Sequence, residues 1–176
     1  MRGKITTIFP PNINTDDIIR ADVLQEHWEK DKFAQFAFEK FDEEFVNRCN
    51  TSEANIVIAG SNFGCGSSRE QAVYALQFNN VKFMITEINK TSGEAYPDIF
   101  YRNSVLNGFV CVALEDISGF DYDDELELQL KEQKVINHTK NKTYNFDIKE
   151  TDLNILLGGG LVGMAKADIE KRLANS

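Results

Sequence analysis

The chain has 176 residues, 42% of them hydrophobic and 27% charged, a balance that suits one soluble globular domain with a sizeable core. Its 19 basic and 28 acidic residues give a formal net charge of −9; that argues against a surface built for nucleic acid or anionic membranes, but not against a local anion site. The first twelve residues lack the apolar core of a leader, no apolar run nears the ~18 residues of a membrane helix, and three widely spaced cysteines suit a reducing cytoplasm, the expected compartment.

In chain order, KITTIF (4–9) predicts a short strand ended by Pro10-Pro11, and NINTDDII a turn. Phe33, Phe36, Ala37, Phe41 and Phe45 fall near helical spacing and predict an amphipathic helix over 31–46. NIVIA (55–59) is a continuous apolar run between turn signals, hence a buried strand. GSNFGCGSSREQA (60–72) leads a glycine-rich loop into a helix, with Ser67 or Ser68 expected as N-cap and Glu70 in the first turn. VKFMIT (81–86) completes a βαβ unit, so its strands are expected to be parallel. A helix is predicted after Pro97, stopping at Gly108, and then a third buried strand, FVCVAL (109–114).

Beyond the acidic loop EDISGFDYDDE the period becomes two. Leu126, Leu128 and Leu130 alternate, as do Tyr144, Phe146 and Ile148, and Lys140-Asn141 reads as a hairpin turn. GGG (158–160) precedes a helix predicted over 163–173. The reading is a single α/β domain, 1–176, with a mixed sheet: a parallel βαβ core plus antiparallel C-terminal strands.

The 60–72 loop joins a buried strand to a helix N-terminus. Its glycines permit positive φ, and free N–H groups with the helix dipole make an anion site. It is no Walker A loop, lacking the lysine, and no Rossmann fingerprint, its glycine spacing being wrong. Ser67 has two readings: an N-cap, or a hydroxyl whose alkoxide is stabilised by amides and Arg69 until it can take a proton from carbon. Arg69 is unfavourable beside the positive end of a helix, and a carboxylate would offset that. Asp16 reads equally as a turn or cap residue. With no CxxC and only His27 and His138, the chain is poorly equipped to bind zinc or an iron–sulfur cluster itself. No G-x-S-x-G elbow supports a serine hydrolase.

NTDDII (14–19), GSNFGCGSSREQA (60–72), IFYRNSVLNG (99–108) and GGGLVG (158–163) occur in the order seen in small subunits of 3-isopropylmalate dehydratase. The chain resembles that family over nearly its whole length. The resemblance implies a swivelling β/β/α domain like the fourth domain of aconitases. It also implies a hydro-lyase active only with a large subunit that carries a [4Fe–4S] cluster, none being bound by this chain. By motif position it implies Ser67 as general base with Asp16 as the site carboxylate. Ser68 and Arg69, with Gly66 and Cys65 beside them, become binders of a small dicarboxylate substrate. The aligned stretch VLQEHW (23–28) faces the variable substituent, with Leu24 and Gln25 as the contacting residues. Gln25 stands where an arginine suits a third carboxylate, and Arg20 where family members carry proline. Isopropylmalate therefore ranks first. A homoaconitase-like or methylated-malate dehydratase is the second reading, and a non-catalytic anion-binding module the third. The isolated chain is left open to self-association.

Overall fold

The computed structural model describes residues 1–67 and 69–174. One seven-stranded sheet organises them, in the order β4-β3-β2-β1-β5-β6-β7. Strands β1 (Arg2–Phe9), β2 (Asn55–Ala59), β3 (Val81–Glu87) and β4 (Val110–Leu114) are parallel. Strands β5 (Glu125–Gln129), β6 (Lys134–Asn137) and β7 (Lys142–Asn145) continue it antiparallel from β1. The mixed architecture expected from the two periodicities is the one observed.

Central strand β2 is buried throughout, which is why it reads as an unbroken apolar run. Its residues alternate between two cores. Val57 and Ala59 join Met84, Cys111 and the Ala72, Val73, Ala75 and Leu76 stripe of α5 (Glu70–Phe78). Ile56 and Ile58 join Phe83, Ile85, Val112, Leu126, Leu128 and Val135 on the other face. The pairing of β1 with β2 slips by one residue between Ile5 and Thr7. A one-residue slip reverses the facing of everything beyond it. Ile5 therefore sits in the second core and Phe9 in the first.

Phe9 enters an aromatic group below the strand ends. It stacks on Phe38 at 4.5 Å between ring centroids and lies 6.1 Å from Phe63, which meets Phe100 edge-on at 5.6 Å. Such pairs add about 0.5–1.5 kcal/mol each beyond burial.

The helix predicted over 31–46 does not form. Between β1 and β2 the chain instead runs through α1 (Thr15–Ile18), α2 (Ala21–Glu26), α3 (Lys30–Phe33), a 3-10 turn over Ala34–Phe36, turns, and α4 (Phe45–Asn50), so that 31–46 holds only the end of α3, the 3-10 turn, turns and the start of α4. Phe38 breaks the helical course with φ +58° and is fully buried. Its ring contacts with Phe9 and Phe45 hold it in that left-handed conformation. Arg48 fastens the segment to β1 by donating to the Thr6 carbonyl at 3.2 Å, and to Asp42.

Helix α6 (Asp98–Leu106) begins after Pro97, as expected. The C-terminal end differs from expectation: α7 (Glu150–Leu157) precedes the glycine run, and α8 (Gly160–Ala174) starts within it. No helix among the described residues is long and apolar enough to cross a membrane.

Candidate active site

Two loops leave the carboxyl ends of the neighbouring parallel strands β1 and β2, the position where ligands bind in open α/β sheets. They stay laced together past the strands. Gly60 N–H donates to the Phe9 carbonyl at 3.0 Å, Asn12 N–H to Ser61 at 2.9 Å, Gly64 N–H to Ile13 at 2.8 Å, and Thr15 N–H to Cys65 at 2.8 Å. Two glycines are required here for different reasons. A side chain at Gly64 (φ +83°) would overlap the Phe100 ring at 2.3 Å, whereas Gly66 (φ +90°) has room but needs the left-handed backbone.

The cap positions are not those expected. Asn14 caps α1, accepting from Asp17 N–H at 2.9 Å while Asp17 accepts from Asn14 N–H at 3.0 Å. This reciprocal box gives the capping role to Asn14 and Asp17. Asp16 is left with its carboxylate pointing outward, 55% exposed. Arg69, not a serine, occupies the N-cap of α5, with no side-chain cap bond.

Arg69 Nη1 donates to Asp16 Oδ1 at 2.5 Å and to the Ile19 carbonyl at 3.2 Å. The carboxylate that an arginine at the positive helix end calls for is thus supplied first by the chain itself. Nε and Nη2 of Arg69 make no hydrogen bond among the described residues, which leaves that edge able to take a second carboxylate. Ser67, two residues earlier in the chain, is exposed and has no hydrogen bond among the described residues. Ser68 lies outside them.

Fewer of the loop amides are free for an anion than the glycine pattern suggests. The amides of Gly64 and Cys65 are both taken by the Ile13 carbonyl, and at the start of α5 the Ala72 N–H donates to the Arg69 carbonyl at 3.1 Å. The Cys65 thiol donates to the carbonyls of Ile13 (3.5 Å) and Asn12 (3.7 Å), and burial pushes its pKa up. Leu24 is half-buried against the first core, and Gln25 is exposed on α2. Arg20 is tied to Asp22 through Nε at 2.9 Å and to Glu39 through Nη1 at 2.6 Å. Sequence reasoning missed the Asn14–Asp17 box, although its N-x-x-D spacing is legible. It also missed Asn107, whose amide donates to Glu70 at 2.8 Å and steadies the first turn of α5.

The donor set does not fit a metal cluster held by this chain. Among the described residues no three His, Cys, Asp or Glu side chains converge as metal ligands. Burial pushes the Cys49 and Cys111 thiols up to about 12, so they stay protonated and inward.

The profile of the aconitase C-terminal domain matches residues 2–117. The 3-isopropylmalate dehydratase small subunit of Caldicellulosiruptor saccharolyticus is 35% identical over 172 residues, 97% of this chain and 93% of that protein. The methanogen homoaconitase small subunit of Methanocaldococcus jannaschii is 31% identical, over 90% of this chain and 87% of that one. The crystal structure of 3-isopropylmalate dehydratase from M. jannaschii superposes with a TM-score of 0.82 at 28% identity, covering 99% of this chain and 98% of that one.

Proposed function

Since the chain belongs to the aconitase C-terminal domain family and groups there with the small subunits of 3-isopropylmalate dehydratase, we propose that it is the small subunit of a cytoplasmic hydro-lyase that interconverts 2- and 3-isopropylmalate. Residues 1–176 act as one swivelling domain. It closes over a larger partner subunit that carries a [4Fe–4S] cluster. When bound there, the cluster supplies Lewis-acid chemistry for the departing hydroxyl.

This chain's part is proton removal and carboxylate binding. The C–H beside a carboxylate is a very weak acid, and removing its proton builds negative charge on the substrate. The open edge of Arg69 takes a substrate carboxylate and holds that charge. Asp16 and the Ile19 carbonyl keep the guanidinium aimed. Ser67 accepts the proton, its alkoxide favoured by the first-turn amides and by Arg69 once water is shut out. Ser68, by its motif position, completes the carboxylate contact, with Cys65 and Gly66 as the neighbouring substrate-binding positions. Rehydration on the adjacent carbon gives the isomer. The observation that supports the reading is the Arg69–Asp16 pair across two loops, with an exposed Ser67 two residues before Arg69.

The homoaconitase relative supports a second reading, with a tricarboxylate as substrate. Two features disfavour it. Gln25 is neutral, and Arg20 already faces Asp22 and Glu39, so neither supplies a free cation for a third carboxylate. Reconstitution with the large subunit and assay on 3-isopropylmalate, 2,3-dimethylmalate and homocitrate tests the choice. The highest kcat/KM is expected on 3-isopropylmalate. Preference for homocitrate would overturn the substrate, and turnover of none of the three would overturn the function.

A further inference from the structure

Side chains of the two loops at the strand ends bond closely to one another. Asn14 and Asp17 cap each other, the Cys65 thiol donates to Asn12 and Ile13, and Arg69 donates to Asp16 and Ile19. Thr15, between Asn14 and Asp16, is an exception. It is fully buried, and its hydroxyl has no hydrogen-bond partner. Within residues 10–19 and 60–72 it is the one buried side-chain oxygen or nitrogen in that condition among the described residues. A buried hydroxyl without a partner destabilises the fold, and such groups are rare enough to need a reason.

The backbone of Thr15 is tied down on both sides. Its N–H donates to the Cys65 carbonyl at 2.8 Å, and its carbonyl accepts from the Ile19 N–H at 2.9 Å. Its branched side chain has few rotamers to choose from. A Cβ placed on Gly66 would stand 3.6 Å from Thr15 Oγ1, its nearest polar neighbour. The hydroxyl therefore lies against the backbone one residue before Ser67. Gly66, at φ +90° and with no side chain, lets the peptide that joins it to Ser67 turn. In a trans peptide the C=O and N–H point in opposite directions. A Gly66 carbonyl turned inward onto Thr15 thus leaves the Ser67 N–H turned away from the interior.

Resting on the function proposed above, we propose that Thr15 is a positioning residue for the Ser67 turn. In the working enzyme its hydroxyl donates to the Gly66 carbonyl, and the Ser67 N–H is thereby aimed at the negative charge that builds on the substrate as its proton leaves. Thr15 itself touches no reacting atom. A donor aimed at developing charge acts in the transition state, so its loss falls on kcat and spares KM.

Thr15→Val and Thr15→Ser are compared with wild type in the enzyme reconstituted with the large subunit, assayed on 3-isopropylmalate, and in thermal melts of the full chain. Valine keeps the branched shape and removes the hydroxyl. Thr15→Val is expected to lower kcat about tenfold with KM unchanged, the effect of one hydrogen bond made in the working state. It should also raise Tm by about 2–4 °C, because the unpaired group is gone. Thr15→Ser, which keeps the hydroxyl, should restore most of kcat. Wild-type kcat in Thr15→Val overturns the positioning role and leaves the proposed function standing. A lower Tm in Thr15→Val would mean that the hydroxyl is already bonded in the resting chain, and overturns it too. So does a raised KM with kcat unchanged, which would place the effect on the neighbouring Asp16–Arg69 pair. Thr15→Ser as slow as Thr15→Val assigns the effect to the methyl group and also overturns it. A wild-type pair that turns over none of the three substrates overturns the function, and this role with it.

Discussion

Asp124 and Asp16 each face a cation from a distant stretch of chain, in opposite halves of one sheet. Asp124, 3% exposed, accepts from the Asp121 N–H at 3.0 Å and the Asn137 amide at 2.8 Å, with Lys140 Nζ at 3.2 Å. Burial alone would raise its pKa; the Asp121 N–H, the Asn137 amide and the Lys140 ammonium outweigh that and hold it below the usual carboxylate range. Asp16 has one partner, Arg69, and stands in solvent. The antiparallel half closes its charges among themselves and gains a defined hairpin. The parallel half leaves a guanidinium edge and a hydroxyl open at its strand ends. Order is built in one place, and the proposed chemistry is assigned to the other.

That contrast can be broken at either end. The largest effect is expected at Arg69. Arg69→Ala should lower kcat/KM of the reconstituted enzyme by about 10²–10³-fold, the cost of removing one pre-aimed charge donor. Its melting temperature should stay near wild type, because the pair with Asp16 is half in solvent. Arg69→Lys should recover only part of the activity, since a point charge cannot bind a carboxylate in two-pronged fashion. Steady-state kinetics beside thermal melts checks both.

Asp124→Ala is the mirror case. It strands the Asn137 amide and the Asp121 N–H, which should cost about 2 kcal/mol and lower Tm by about 4–8 °C, with kcat of the folded enzyme unchanged. The smallest effect concerns pH. Because the folded pKa of Asp124 lies below its unfolded value, its stabilisation is complete above the ordinary carboxylate range and is lost as pH falls through the folded value. Wild-type stability should therefore drop on acidification below about pH 4, and Asp124→Asn should drop less. Urea melts at stepped pH values measure the difference.

The legible parts of the sequence were those where a local pattern and the tertiary fold agree. NIVIA reads as a buried strand because both faces of β2 are covered. The change to a period of two at Leu126 marks the strand whose alternate residues face the second core. The phenylalanines of 31–46 misled because near-helical spacing is also what a folded-back segment shows when it lines one core. Phe38 at φ +58° is a tertiary decision, made by ring contacts that no local window contains. The same applies at the site. GSNFGCGSSREQA announces a glycine-rich strand-to-helix loop, but only the β1–β2 adjacency reveals that Ile13 takes two of its amides. Likewise, the pairing of Asp16 with Arg69 spans 53 residues.

In the proposed function Ser67 takes the proton from the substrate C–H. Deuterium exchange at that carbon, followed in the reconstituted enzyme with the large subunit saturating, reports the step alone. Ser67→Ala is predicted to slow exchange by about 10²–10⁴-fold, with melting temperature and affinity for the large subunit unchanged. Exchange at near wild-type rate in Ser67→Ala would contradict the account.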